Sequence, residues 1–327
     1  MTATQTAAGA AAPDAVAVDP VVTGIGVVTP EALDPAGERT GPWFDLRAQL
    51  GRGYKYLPKA SQYLLAATTR ALADTGAALA DVPEDRRAVT IGTNNGMSQL
   101  YGEFDRTVIE GDSTLLSPAT VPYFSVNLVG SRVAMEHALK GYSLGVHTPR
   151  VAGLEAIEHG TRALRAGRSQ WLLAGAAESP LDWSEPGSEG SEDGAVALVV
   201  EPAAAVAARG GRAYGRVGVR GFLLPPPVAA APDGAQTASR LLRTALQGVG
   251  VTGTRPPVRL IGADDAVTRA VADALGDGVT RHPAGVGCLA PVLHVTEALH
   301  RPGTPQLVVA VAAQGNVSVA LVTPRTS

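Results

Sequence analysis

A single cysteine, Cys288, stands in a chain of 327 residues. This scarcity excludes an intrachain disulfide and any cysteine metal cluster, and it fits a reducing cytoplasm. Cys288 itself reads as a small core residue. Runs of Lys and Arg interleaved with aromatics are also missing, in a chain of net charge -3, so nucleic acid is not expected as a partner. No apolar run approaches a membrane span, and Met1 to Asp19 lacks the basic start and apolar core of a signal peptide. That tail, rich in Ala, Thr and Pro, is expected to be disordered and the protein soluble. What is present is 45% hydrophobic residues and 38 glycines, enough for about two ordinary domains or one large α/β unit.

The elements alternate. Pro20 to Val28 (PVVTGIGVV) reads as an apolar strand. Its Gly24 and Gly26 lack the third glycine of a dinucleotide fingerprint, so close backbone approach explains them better. Pro58 to Thr75 is helical with Gly76 as its stop, and Ala88 to Gly92 is a buried strand. Gly96 to Met135 reads as irregular at first and then helical. Gly141 to Ser179 holds a strand, a tight turn, a helix expected from Pro149 to Ala166, and a strand from Trp171 to Gly175. Leu181 to Gly194 reads as a solvated acidic loop without cation-ligand register. Beyond Gly210 the order starts over, with strands at Tyr214 to Leu223, Val258 to Gly262, Leu307 to Ala312 and Val317 to Val322, and helices at Ala235 to Gln247, Asp265 to Leu275 and Cys288 to Leu299. This implies a layered α/β architecture with three parts: a tail (1–19), one β/α half (20–209) and a second (210–327).

Several patterns invite catalysis. Gly141-Tyr142-Ser143-Leu144-Gly145 matches the nucleophile elbow of α/β-hydrolases, which would make Ser143 a hydrolase or acyltransferase nucleophile. An elbow needs a strand before the serine and a helix straight after, whereas Arg132 to Lys140 reads as helix and the strand follows Ser143. His294 and His300, six apart on a helix, do not converge on one point. Asp264 and Asp265 open a helix as caps, without a metal. Arg150, at the N-terminal end of the central helix, places a cation where the macrodipole favours an anion or thiolate.

That central stretch resembles the active-site segment of β-ketoacyl synthases, condensing enzymes of the thiolase fold. The resemblance rests on VVTGIGVVTP at Val21 to Pro30, IGTNNG at Ile91 to Gly96, LSPATVPYFSVNLVG at Leu116 to Gly130 and AGLEAIEHGTRALRAGRSQWLLAGAAE at Ala152 to Glu178. DGAVALVVE at Asp193 to Glu201 and QGNVSVALV at Gln314 to Val322 extend it to the closing strands. It implies a five-layer αβαβα fold with two pseudo-duplicated halves, and no cofactor or metal. Carried over residue by residue, the family's cysteine falls on Arg150, its first histidine near Gly262 and its second on Ala284. None of these can form a thioester or promote decarboxylation. His282, two residues away, is the nearest substitute.

The resemblance therefore implies a chain-length factor, the silent partner of an active ketosynthase in a type II polyketide synthase heterodimer, with the acyl tunnel at the interface. An acyl-binding homodimer is a further alternative. Tyr123, Phe124 and Ser125 are then tunnel candidates, or else Tyr123 and Phe124 are core aromatics. Arg150 either fills the vacated site, pairs with an acid of the partner, or is a solvent-facing turn residue; buried without a partner it would cost several kcal/mol. Arg52, Lys55 and Lys59 form a basic cluster suited to an acidic acyl carrier protein bearing its phosphopantetheine-linked acyl chain, or a solvated loop. Short stretches after Pro30 and after Glu178 suit a slim partner of polyene-making ketosynthases.

Overall fold

A computed structural model of the chain describes residues 18–37, 42–76 and 79–326. The order begins with β1 (Pro20–Val28), α1 (Pro30–Leu33), α2 (Leu46–Leu50), α3 (Lys59–Thr75), β2 (Arg87–Gly92), α4 (Ser98–Glu110), α5 (Leu128–Glu136) and β3 (Ser143–Val146). It continues with α6 (Ala152–Arg165), β4 (Trp171–Glu178), β5 (Gly194–Pro202), α7 (Ala203–Ala208), β6 (Gly215–Leu223), α8 (Pro226–Ala229), α9 (Gly234–Gly248) and β7 (Val258–Ile261). It closes with α10 (Ala266–Leu275), β8 (Val279–His282), α11 (Leu289–Leu299), β9 (Gln306–Val311) and β10 (Asn316–Pro324).

The strands pair in the order β3-β2-β4-β5-β1-β6-β10-β9-β7-β8. Outward from the middle, β1, β5, β4, β2, β3 on one side repeat as β6, β10, β9, β7, β8 on the other. The pairing sense repeats as well: β2 is parallel to β3 and β4, as β7 is to β8 and β9, while β5 and β10 are antiparallel to their neighbours. The two arrays meet through one residue pair, Val22 opposite Gly215. Helices α6 and α11 lie between the arrays and touch strands of both. α3 and α5 cover one outer face, and α9 and α10 cover the other. The fold is thus the expected thiolase-like αβαβα stack, with one apolar core in the middle layer and one under each outer layer.

Coverage on both faces is why the central strands read as unbroken apolar runs: all eight residues of β4 are buried. Glycine sets how near the helices come. A Cβ at Gly92 on β2 would lie 2.4 Å from the α6 backbone at Ala152, and one at Gly153 would meet the Cys288 carbonyl oxygen at 2.8 Å. Small residues here draw the N-terminal ends of α6 and α11 against the sheet and each other.

Several expectations are corrected. The central helix starts at Ala152 rather than Pro149, because Arg150 has φ +60 and no helix continues through a left-handed residue. The stretch after Gly96 is not irregular but holds the thirteen-residue α4, a surface helix with no fully buried residue. The helix read at Arg132 to Lys140 is α5, which ends at Glu136. Strand β8 was missed, because its four residues are half-buried or exposed and lack an apolar run. The acidic loop is not simply solvated: Asp182 is 4% exposed and bonds Arg106 at 2.9 Å, Asp193 accepts from the Trp43 indole at 2.8 Å, and Glu192 caps α11. The tail expectation lies outside the described residues except at Val18 and Asp19, where Asp19 bonds Arg216.

Candidate functional site

Strand β3, a turn at 147–151 and helix α6 form the strand–turn–helix unit at the centre of the molecule. Its apex is Arg150, one of two non-glycine residues with positive φ among the described residues. Asn94, in the turn after β2, clamps it from outside. The Asn94 amide donates to the His147 and Thr148 carbonyls at 3.1 and 3.2 Å, and its Oδ1 accepts the Arg150 N–H at 3.0 Å. Sequence reading quoted this asparagine only as part of a motif. The Arg150 guanidinium points inward and donates through Nη1 to the Gly285 carbonyl at 3.0 Å, while Nε is buried without a partner. Burial lowers its pKa from the usual guanidinium value, and the charges of Glu192 and Asp265 act against that.

Two acids lie under this turn. Glu178, at the end of β4, is fully buried. It accepts the backbone N–H groups of Asn94, Asn95 and Cys288 at 2.8, 2.7 and 2.9 Å and the Thr93 hydroxyl at 3.3 Å. Loss of water still dominates, and its pKa is pushed up to about 7. Glu192 accepts the Leu289 N–H at 2.5 Å at the N-terminus of α11, and burial raises its pKa too. Cys288, between them, is fully buried, and desolvation plus the two carboxylates push its thiol pKa well up. It is an inert core thiol, as expected from the sequence.

The turn carrying Gly262 lies near Arg150 through Asp265, whose carboxylate caps α10 by accepting the Thr268 N–H at 2.9 Å. Ala284 packs on the central core next to Gly285, the Arg150 acceptor. The Arg150 guanidinium thus faces Gly285, with the charges of Glu192 and Asp265 close enough to act on it. His282 does not stand alone. Its ring lies 4.3 Å from that of His294 on α11. The two sit twelve residues apart across a turn that no short motif signals. Arg259 donates to His294 Nδ1 at 2.9 Å and to Glu297, and burial depresses the His294 pKa. Ser143 is exposed and opens β3 with strand after it, so the hydrolase elbow has no helix to carry its serine.

Two adjoining cavities of about 460 and 340 Å³ share Thr93, Val126 and His147 and open beside Asn94. Val126 lines both, rather than Tyr123, Phe124 or Ser125. Tyr123 packs on the outer core, Phe124 is 63% exposed and stacks on Tyr101 and Phe104, and Ser125 is exposed. Arg52 and Lys55 line an open groove with Phe44 and Arg47, and Lys59 stands exposed at the start of α3.

Residues 52–191 match the model of the β-ketoacyl synthase N-terminal domain. The match spans less than half of the chain, and the duplicated sheet with its central strand–turn–helix is the thiolase-like fold of the structurally similar ketosynthases. Among solved structures, the chain resembles the ishigamide ketosynthase/chain length factor, with a TM-score of 0.73 and 20% identity over 94% of this chain and 99% of that one. It is also similar to the type II ketosynthase in the AntDE:AntF complex, which is bound to its acyl carrier protein (TM-score 0.70, 16% identity, 94% and 99% covered). A β-ketoacyl synthase from Burkholderia phymatum STM815 superposes equally well, with a TM-score of 0.73 and 17% identity over 94% of this chain and all of that one. No helix among the described residues is long and apolar enough to cross a membrane.

Proposed function

We propose that this chain is a catalytically silent ketosynthase-like subunit, a chain-length factor, that pairs with an active β-ketoacyl synthase and shapes the acyl tunnel in type II polyketide or polyene biosynthesis. The observation that carries the reading is Arg150. It occupies the apex of the strand–turn–helix where the family's cysteine belongs, and its guanidinium is tied inward to Gly285. Condensation needs a thiolate and two imidazoles, and Gly262 and Ala284 supply neither imidazole.

A subunit silent in this way works through a partner, and one face suits it. Strand β3 ends the sheet with unpaired backbone groups, and beside it Ile109, Val121, Phe124, Val126 and Met135 are all exposed. The partner is an active ketosynthase with its cysteine and both histidines. The acyl chain extends into the cavities at Val126 and His147, with Phe124 and Ser125 at the seam. An acyl carrier protein delivers the phosphopantetheine-linked chain, and Arg52, Lys55 and Lys59 are candidate contacts for its acidic surface. The setting is the cytoplasm, where carrier proteins and reduced thiols are found together.

Co-expression with a ketosynthase encoded beside this chain is the test. A stable one-to-one complex, active only when both chains are present, is expected. A well-behaved monomer that never co-purifies with such a ketosynthase would overturn the reading.

A further inference from the structure

At the opposite end of the middle layer from Arg150, past the C-terminus of α11, a cavity of about 250 Å³ opens at the seam between the two strand arrays. Along α11 alone this is roughly 16 Å from the nucleophile turn. Its walls come from five separate parts of the chain: Thr23 on β1, Asp74 and Thr75 at the end of α3, Arg212 and Tyr214 ahead of β6, His300 after α11, and Arg325 after β10.

The acids around it are already satisfied. Asp74 accepts the Ile25 N–H at 2.8 Å through one oxygen and the Tyr214 hydroxyl at 2.9 Å through the other. Glu201, behind the wall, takes Thr23 at 2.5 Å and both arms of Arg209 at 2.8 and 2.7 Å. No carboxylate among the described residues is left for Arg212 or Arg325, whose charges both act on the Tyr214 hydroxyl. Tyr214 is fixed by Asp74 and by its ring contact with His300, 5.2 Å between centroids. His300 in turn commits Nδ1 to the Thr296 carbonyl at 2.8 Å, which leaves Nε2 uncommitted. The wall is thus preorganised, and among the described residues neither guanidinium is in an ion pair, the Asp74 carboxylate in the same cavity being held by the Ile25 N–H and the Tyr214 hydroxyl.

We infer that this seam cavity binds a small anion, a phosphate or carboxylate group held between Arg212 and Arg325 against the Tyr214–His300 wall. Guanidinium forks suit both groups, because either offers two oxygens in the fork's plane. A bound anion would tie α3, the 212–214 connection, the turn after α11 and the C-terminal segment together, so occupancy should raise the melting temperature.

The full-length chain is melted at fixed ionic strength, with inorganic phosphate titrated in one series, acetate in another, and chloride as reference. A saturable rise in Tm with phosphate is expected; a rise with acetate alone would assign the site to carboxylates. Arg212→Gln with Arg325→Gln should weaken the apparent Kd by about tenfold or more, since two charge-assisted contacts are removed. Both side chains are exposed, so the variant's Tm in chloride should match the parent's; Arg325→Gln alone, read by titration calorimetry, serves if it does not. No saturable response to either anion, or an undiminished response in the variants, would overturn the assignment.

Discussion

At Arg150 a left-handed backbone and a buried, unpartnered Nε coincide on one residue. A side chain at this φ costs about 1–2 kcal/mol relative to glycine, whatever its chemistry. Arg150→Gly should therefore unfold at higher urea than Arg150→Ala by about 1 kcal/mol, since both lose the Gly285 contact and only glycine relieves the backbone. Equal stability of the two variants would contradict a strained turn. Glu178 carries a second prediction. Its carboxyl is pushed up to about 7 in the folded chain against an ordinary value of 4.5. Between those values the folded state holds a proton that the unfolded state has released. Stability from this group is therefore full below the ordinary value and falls as pH rises through about 7. The raised Glu192 adds a slope of the same sign. In denaturation at a series of pH values, Glu178→Gln should flatten this decline. It should also lower stability at acid pH by about 1–3 kcal/mol, because an amide N–H₂ would face the N–H groups now donating to the carboxyl.

At the scale of elements, the middle layer depends on contacts between backbones rather than on large side chains. Gly92 lets α6 lie directly on β2, and the atoms a Cβ would meet there are the Ala152 carbonyl and the Gly153 nitrogen, which cannot swing aside. Gly92→Ala should destabilise the chain by about 1–3 kcal/mol or more, the range for overpacking a filled core. It should also move Arg150 and Asn94 together, because both sit at the ends of the displaced elements. Denaturant unfolding gives the first quantity, and a wild-type midpoint would show that the layers have slack. The carboxylates of Glu178 and Glu192 pin the N-terminus of α11 from below, through Cys288 and Leu289. The two central helices thus present their positive ends at one locus, the arrangement expected where negative charge is to be held.

For the whole molecule, the main asymmetry is between a fully packed interior and an apolar face beside β3. Ile109 is 82% exposed, whereas the exposed Phe124 ring also meets Tyr101 and Phe104. Ile109→Asp should leave stability within about 0.5 kcal/mol of the parent, and Phe124→Asp should lower it by about 1 kcal/mol through loss of the ring contacts. Each should sharply reduce co-purification with a ketosynthase partner, because a charge would be buried in the interface. Unchanged recovery of the complex from both variants would place the partner on another face.

The sequence by itself determined the layered fold, because strand runs such as Trp171 to Gly175 and the period of α6 are local signals, and two rounds of them specify a duplicated α/β stack. It also raised the expectation that Arg150 stands at a nucleophile position, since motif register is counted along the chain. Only the tertiary structure decided what Arg150 touches, that Glu178 and Glu192 converge beneath it, that His282 meets His294, and that five distant segments enclose a cavity lined by Arg212 and Arg325. Each of these joins residues tens to hundreds of positions apart, or across an unsignalled turn. The acidic loop shows the same limit: its composition reads as solvated, yet Asp182 is buried and Glu192 half-buried, because Arg106 and the α11 N-terminus, remote in sequence, satisfy them.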